Sequence, residues 1–358
     1  MNLTQLEIEN FRNLEKLSIS PHASLNLITG DNGSGKSSIL EAVQCLSTGH
    51  SFRTRQAREL IRRPESAFTL SAQFTDPSTA RDHRAGLLRQ RDGKMDLRLD
   101  FETINSLSEV TRLLPVKSLT PDSHKLVQDG PEERRQFLDW GVFHMEHSFF
   151  NTWKQLKRSL SQRNQLLRDG FSTEELKSWE SLFVEAAEKI NALRTDYVGA
   201  LQIALTARMQ QLGALFHVEL SYRRGWTGDF ELQELMSRNL EYHRRMKTTT
   251  DGPHRAEMGM TVDGVSVKQL LSRGQQKVLV YLLHLAQLDL LNTRTQRRAI
   301  VLCDDLTSEL DVENSRRLIE QLVGMNSQIF VSGVDLGVLE QHPNRRFHMK
   351  HGVVQNVL

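Results

Sequence analysis

The sequence predicts an α/β fold: a head with mixed sheets, plus a mainly helical second lobe bearing a short helical hairpin arm. Three observations predict it. An apolar strand, Leu25–Thr29, runs into Gly30-Asp31-Asn32-Gly33-Ser34-Gly35-Lys36-Ser37 and then into a helix with Ile39, Leu40, Val43 and Leu46 at helical spacing. A second apolar run, Ala299–Cys303, ends in Asp304-Asp305. Between them, from Glu132 to about Phe216, apolar residues recur with helical period. The chain has 358 residues, which suits two lobes better than one core. The expected head is 1–118 with 292–358, and the expected helical lobe is 119–291.

The elements follow in chain order. Thr4–Glu9 alternates polar and apolar residues, as a half-buried strand does. Leu17–Ile19 reads as a second strand, and Phe68–Phe74 as another. Gly86–Leu88 and Met95–Leu99 form a hairpin around Asp92-Gly93. Thr120-Pro121 breaks the pattern. Phe150, Trp153, Leu156, Leu160 and Leu167 then form an apolar stripe that stops at Asp169-Gly170-Phe171. Ser172 and Glu175 make a capping box for the next helix, whose stripe continues to Leu215. These two helices are the arm. Segment 217–250 is mixed. A hairpin around Asp263-Gly264 follows, then a helix over Val278–Leu291 that starts near Ser272-Arg273-Gly274. Ala299–Cys303 and Gln328–Ser332 read as strands buried on both faces, and Phe347–Val357 closes the fold.

Composition narrows the class. The chain is 38% hydrophobic and 25% charged, with a net charge of +2. Met1–Asn13 lacks a cationic leader, and Val278–Leu291 is interrupted by His284, Gln287 and Asp289, so a cytoplasmic protein with no membrane span is expected. The two cysteines, Cys45 and Cys303, lie in apolar elements and are expected as buried thiols, too few for a zinc site. Arginines outnumber lysines, 33 to 13. Arg53, Arg55, Arg58, Arg62 and Arg63 form one group, and Arg81, Arg84, Arg89 and Arg91 another. Each group is either a solvated face paired with carboxylates or a patch for a nucleic-acid backbone.

Gly30–Ser37 reads G-x-x-x-x-G-K-S, the phosphate-cradling P-loop. Glycines let the backbone approach closely and turn its N–H groups inward, and the helix start adds its positive dipole end. Lys36 is the expected ligand of the β- and γ-phosphates, and Ser37 of Mg²⁺. Asp304 is the expected second holder of Mg²⁺. Asp305 is the expected residue that orients the attacking water. Without a nucleotide at Lys36, the pair would be only a strand end with a helix cap. Ser272, Gly274 and Gln275 form a candidate second anion site: a hydroxyl, free backbone N–H groups and a helix start. Standing alone, they would be an ordinary helix cap.

This ordered set resembles the ATP-binding-cassette ATPases, and more closely their branch of SMC and RecF heads. Gly30–Ser37 matches Walker A, Ser272–Gln275 the signature, Asp304-Asp305 Walker B, and Ser308–Asp311 the D-loop. The match to the RecF family is the close one. It rests on Ile8-Glu9-Asn10-Phe11-Arg12-Asn13-Leu14, on Thr120-Pro121-Asp122 through Asp139, on Gln162-Arg163-Asn164, on Gly252-Pro253-His254-Arg255 and on Ser272–Lys277. The short arm also suits RecF better than SMC. The resemblance implies a cassette-type ATPase head with ATP and Mg²⁺ as cofactors. It adds Arg12 and Asp311 to the nucleotide contacts and gives Ser272 a part in the chemistry. It also implies an ATP-joined homodimer in which Lys36 of one copy faces Ser272 of the other. The implied function is binding of duplex, gapped or single-stranded DNA in replication and recombinational repair, with RecO and RecR as partners, in support of recombinase loading and the SOS response.

Two departures are visible. Asp305 stands where many cassette ATPases carry Glu, and no histidine follows Ile329–Ser332, where Ser332 or Asp335 would stand in. Both suit a weak ATPase used as a switch. The rivals are a cassette subunit of another DNA- or membrane-associated complex, and a P-loop kinase or GTPase. The latter has no use for the signature helix and would need an N-K-x-D motif, which is absent.

Overall fold

The computed structural model describes residues 1–54, 56–76, 79–170, 172–213, 216–228, 230–305, 312–334, 336, 339 and 344–357. Its strands are β1 (Asn2–Phe11), β2 (Leu14–Ile19), β3 (Leu25–Gly30), β4 (Ala67–Asp76), β5 (Arg81–Gln90), β6 (Met95–Leu99), β7 (Glu102–Thr103), β8 (Val116–Leu119), β9 (Glu219–Arg223), β10 (Glu257–Val262), β11 (Val265–Ser266), β12 (Ile300–Cys303), β13 (Ile329–Gly333), β14 (Asn344–Lys350) and β15 (Val353–Val357). The chain divides into two compact units: Met1–Ser123 with Lys277–Leu358, and His124–Gln276.

The first unit holds two six-stranded sheets, ordered β2-β1-β4-β5-β6-β7 and β15-β14-β3-β13-β12-β8. The first is antiparallel throughout. It alternates buried and exposed positions, as a sheet wet on one face must. In the second, β14, β3, β13, β12 and β8 run parallel, and only β15 is antiparallel. Its central strands β3, β12 and β13 are buried at every residue, which is why their sequence is apolar without alternation. The helix Lys36–Thr48 lies in the core shared by the two sheets: Ile39 and Val43 join Ile8, Leu70 and Leu87 of the first sheet and Ile28, Leu302 and Phe330 of the second.

The second unit is mainly helical. The arm pairs helix Phe149–Asp169 with helix Thr173–Leu212. The first ends at Gly170, at φ 95°. The Oγ of Ser172 accepts a hydrogen bond from the Glu175 N–H at 3.2 Å, the expected cap of the second. The unit also holds a three-stranded sheet, β11-β10-β9, and helices Lys125–Gln128, Pro131–Met145, Leu232–Arg238, Leu240–Met246 and Val267–Leu270.

The observed unit boundaries differ from the expected 118/119 and 291/292. The first falls five residues later. The second moves back to 276/277 because one helix, Arg273–Thr295, crosses it. The signature residues Ser272–Gln275 therefore belong to the helical unit, and the apolar body of that helix to the head. A helix over Val312–Gly324 was not expected; its buried Leu318, Ile319 and Leu322 are the signal that marks it.

Candidate functional site

Parallel register brings three strand ends to one edge of the second sheet. Thr29 lies opposite Gly333, and Cys303 opposite Val331. Gly30, Ser332 and Asp304 therefore lie at or beside the ends of neighbouring strands, with β13 between the P-loop strand and the acidic strand. Ligand crevices of α/β sheets form at this carboxyl edge. A cleft of about 1010 Å³ opens there, and Lys36, Ser37, Asp304, Asp305 and Ser332 all line it. Arg12, Asn13, Asn32, Gly33 and Gly35 line it too.

The P-loop takes the conformation its glycines permit. Gly30, Gly33 and Gly35 have φ of 141°, 78° and 109°, a region where side chains are strained. At Gly30 a Cβ would also sit 2.3 Å from the Met349 carbonyl oxygen. The turn between β14 and β15 presses on the loop a second time, where the Gly352 N–H donates to the Ser34 carbonyl at 2.9 Å. The Lys36 ammonium folds back over the loop and donates to the carbonyls of Gly30 (2.7 Å) and Asp31 (2.9 Å). Two of its three donors are thus used. The buried Ser34 hydroxyl has no hydrogen-bond partner among the described residues. Asp31 and Asn32 are exposed at the loop's tip.

The acidic end is tightly organised. The Ser332 hydroxyl donates to Asp304 Oδ1 at 2.7 Å and accepts from the Asp305 N–H at 3.1 Å. Asp304 is buried, whereas Asp305 is exposed with φ of 51°. That left-handed backbone is rare outside glycine, though Asp tolerates it better than most residues. Of the two residues considered for the place of the absent histidine, Ser332 therefore touches both aspartates. Asp335 lies outside the described residues, as do Ser308–Asp311 and with them Asp311. Burial pushes the neighbouring Cys303 thiol up to about 12, and the Cys45 thiol likewise. Both cysteines are free.

Arg12 lines the cleft, but its guanidinium is bidentate to Glu41 of the P-loop helix, at 3.1 and 2.7 Å. Its third contact is the Glu59 carbonyl at 3.1 Å. Glu41 is fully buried, so this pair fastens the β1–β2 turn to the helix. Asn13, next to it, was not singled out as a site residue. Its Nδ2 donates to the Gly33 carbonyl at 3.1 Å, and its Oδ1 accepts from Ser38 Oγ at 2.8 Å. No spacing rule marks it; only its place within the Asn10–Leu14 block does.

Ser272, Gly274 and Gln275 do not line this cleft. They are exposed in the helical unit. There the Ser272 N–H donates to Gln275 Oε1 at 2.9 Å, and the Gln275 N–H donates to Ser272 Oγ at 3.3 Å. This is a capping box with Gln as the third residue. Within the single chain Ser272 is a helix cap, and its outer surface is open.

The arginine groups are largely paired with nearby protein. Arg53 lies 3.9 Å from Glu41, Arg62 2.8 Å from Glu15, Arg81 3.8 Å from Asp100 and Arg84 3.9 Å from Glu7. Arg89 donates to the Gly49 carbonyl at 2.8 Å. Arg53, Arg62 and Arg63 also border the cleft. Arg55 lies outside the described residues.

A family model for the RecF/RecN/SMC N terminal domain matches residues 2–355. The DNA replication and repair protein RecF of Shewanella baltica (strain OS223) is 38% identical over 361 residues, covering 99% of both chains. That of Shewanella amazonensis is 37% identical over 358 residues, again covering 99% of both. Among solved structures, the recombination mediator protein RecF with ATP, of the RecFOR pathway, superposes with a TM-score of 0.91 at 23% identity. That match covers 100% of this chain and 97% of the other. An SMC head bound to the winged-helix domain of ScpA gives 0.59 at 16% identity, covering 100% and 97%. The fold is thus that of the SMC- and RecF-type ATPase heads, and the sequence relationship over the full length shows that the chain belongs to the RecF family of DNA replication and repair proteins.

Proposed function

We propose that the chain is an ATP-dependent DNA-binding protein of replication and recombinational repair, working as a homodimeric clamp whose weak ATPase cycle sets its opening. One observation carries the reading: Lys36, Ser37, Asp304 and Asp305 line a single cleft, and Ser332 ties both aspartates together. A triphosphate suits this cleft. Backbone N–H groups at the start of helix Lys36–Thr48 attract anions, the Lys36 ammonium keeps a donor in reserve, and the Ser34 hydroxyl lacks a partner. Ser37 and Asp304 would hold Mg²⁺, which would supply positive charge against the phosphates. Two protein ligands suffice, because Mg²⁺ keeps several waters. Lys36 then holds the γ-phosphate, Asp305 orients the attacking water, and Ser332 fixes the Asp304 carboxylate and the Asp305 backbone. Arg12, held in the wall by Glu41, is a further contact.

The other half of the site is assigned to Ser272, Gly274 and Gln275 of a second copy, whose exposed helix start is open to a partner's γ-phosphate. ATP joins two such surfaces, and its hydrolysis releases them. Asp311 would border this junction. DNA binding, recombinase loading with RecO and RecR, support of the SOS response and a cytoplasmic location are part of the same proposal, which family membership supports. Among the described residues no helix is long and apolar enough to cross a membrane.

Sedimentation equilibrium with and without ATP tests the clamp, repeated with duplex, gapped and single-stranded DNA. ATP is expected to produce a dimer. Lys36→Ala is expected to weaken that dimer tens-fold or more, since each charge-assisted contact contributes about 1.5–3 kcal/mol. A wild-type monomer in ATP, or a dimer indifferent to Lys36→Ala, overturns the reading.

A further inference from the structure

Helix Phe149–Asp169 carries charge of one sign along its exposed side. Lys154, Lys157, Arg158 and Arg168 are all exposed, and the helix's only acidic residue is its last, Asp169. At about 100° per residue the four cations fall within an arc of about 100° and span about 21 Å along the axis. The exposed Ser161 and Gln165 fill the same arc with neutral hydrogen-bonding groups. Among the described residues, none of the four has a carboxylate within ion-pair distance. The contrast with the paired arginines of the head is sharp: there Arg62 meets Glu15, and Arg81 meets Asp100. Arg163, on the buried side of the same helix, is also paired, with Glu180 at 3.0 Å.

Three of the four cations stand over aromatic rings. Lys154 lies 5.3 Å from the Phe150 centroid, Lys157 4.0 Å from Trp153 and Arg158 5.7 Å from Trp179. A ring face holds a cation without neutralising it. These side chains are therefore restrained while their charge stays available.

We infer that this stripe is a contact surface for the sugar-phosphate backbone of DNA. The inference rests on the DNA-binding reading above and names a surface for it. A straight row of unpaired cations matches a linear polyanion whose strand advances 3.4 Å per residue along its axis, so that the stripe spans about six base pairs. Ser161 and Gln165 suit phosphate and sugar oxygens, which position a protein without reading sequence. A folded acidic protein surface interleaves both signs and would be expected to face some carboxylates here.

The test uses the full chain with Lys154→Gln, Lys157→Gln, Arg158→Gln and Arg168→Gln combined. Affinity for a short duplex is measured against salt concentration. Four lost phosphate contacts should flatten the log–log salt slope by about 3–4 and weaken binding at least tenfold near physiological salt. ATP binding, which uses the other unit, should stay within twofold. Lys154→Gln and Arg168→Gln alone, at opposite ends of the stripe, should each reduce the slope by about 1 and remain decisive if the combined variant unfolds. Wild-type slope and affinity in these variants overturn the inference while leaving the functional reading intact. So does unchanged DNA binding with lost retention of polyglutamate, which would mark an acidic protein partner. A wild-type chain that binds no DNA overturns the functional reading itself.

Discussion

Ser332 shows what one hydroxyl does at a phosphate site. It joins a buried carboxylate to the backbone of its exposed neighbour, and so fixes the relative placement of the two groups assigned to metal and water. Ser332→Ala should leave ATP affinity within a few-fold and lower the hydrolysis rate about ten- to a hundred-fold, the worth of one hydrogen bond to a charged group. Phosphate release and nucleotide titration measure the two quantities separately; lost affinity with an unchanged rate would contradict the assignment. His254 makes a second residue-scale case. Burial pushes its imidazole down to about 4, against a smaller upward effect from the Thr249 carbonyl. Its Nδ1 has no hydrogen-bond partner among the described residues. The unfolded chain takes up this proton near pH 6.5, whereas the folded chain resists it until about 4. Between those values the unfolded state binds more protons, so stability falls as pH drops. The loss approaches about 3 kcal/mol at the acid end. Urea midpoints at pH 7.5 and pH 5 should differ, and less so in His254→Gln.

At the scale of elements, the P-loop is held from two sides. Asn13 grips its Gly33 carbonyl and the Ser38 hydroxyl, while Met349 of β14 crowds Gly30 and Gly352 of the β14–β15 turn bonds Ser34. Gly30→Ala would place a methyl against the Met349 carbonyl, so nucleotide binding should fall at least a hundredfold while the arm unit keeps its helicity by circular dichroism. The arm, near the turn that joins its two helices, is held differently. Arg163 is fully buried and meets Glu180, Thr249 and His243, while Asn164 accepts from Thr249. This network joins both arm helices to the segment that leads into Gly252-Pro253-His254-Arg255. Glu180→Ala would leave the Arg163 charge buried without its partner and cost about 3–5 kcal/mol. Denaturant unfolding measures that loss. Arg163→Met, which removes the charge instead, should cost less.

At the scale of the molecule, the two proposed anion-binding surfaces belong to different compact units. The cleft is in the head, and Ser272 is in the helical unit. Ser272→Ala should therefore separate two properties that Lys36→Ala removes together. ATP binding by the monomer should persist within a few-fold, and ATP-dependent dimerisation should fail. Nucleotide titration beside sedimentation distinguishes them; an intact dimer would remove Ser272 from the interface.

The local chemistry of this protein is written in its residue order. Gly30–Ser37, the buried run ending at Asp304-Asp305, the Ser172 cap and the helical stripes of the arm are short-range signals, written in spacings of one to four residues. Motif order carried the family as well, because RecF-like blocks are distributed over nearly the whole chain. Only tertiary structure decided which groups meet. Ser332 reaches Asp304 across 28 positions, Asn13 reaches Gly33 across 20 and Arg12 reaches Glu41 across 29. No periodicity encodes such contacts; they arise from parallel register within one sheet and from the β1–β2 turn of the other meeting the P-loop and its helix. Charge divided in the same way. The sequence located the arginine groups, but pairing across strands and turns decided that much of their charge is met by Glu7, Glu15, Glu41 and Asp100. The cations left unpaired on the arm are recognisable only once neighbours are known, because an ion pair depends on distance in space and not on distance along the chain.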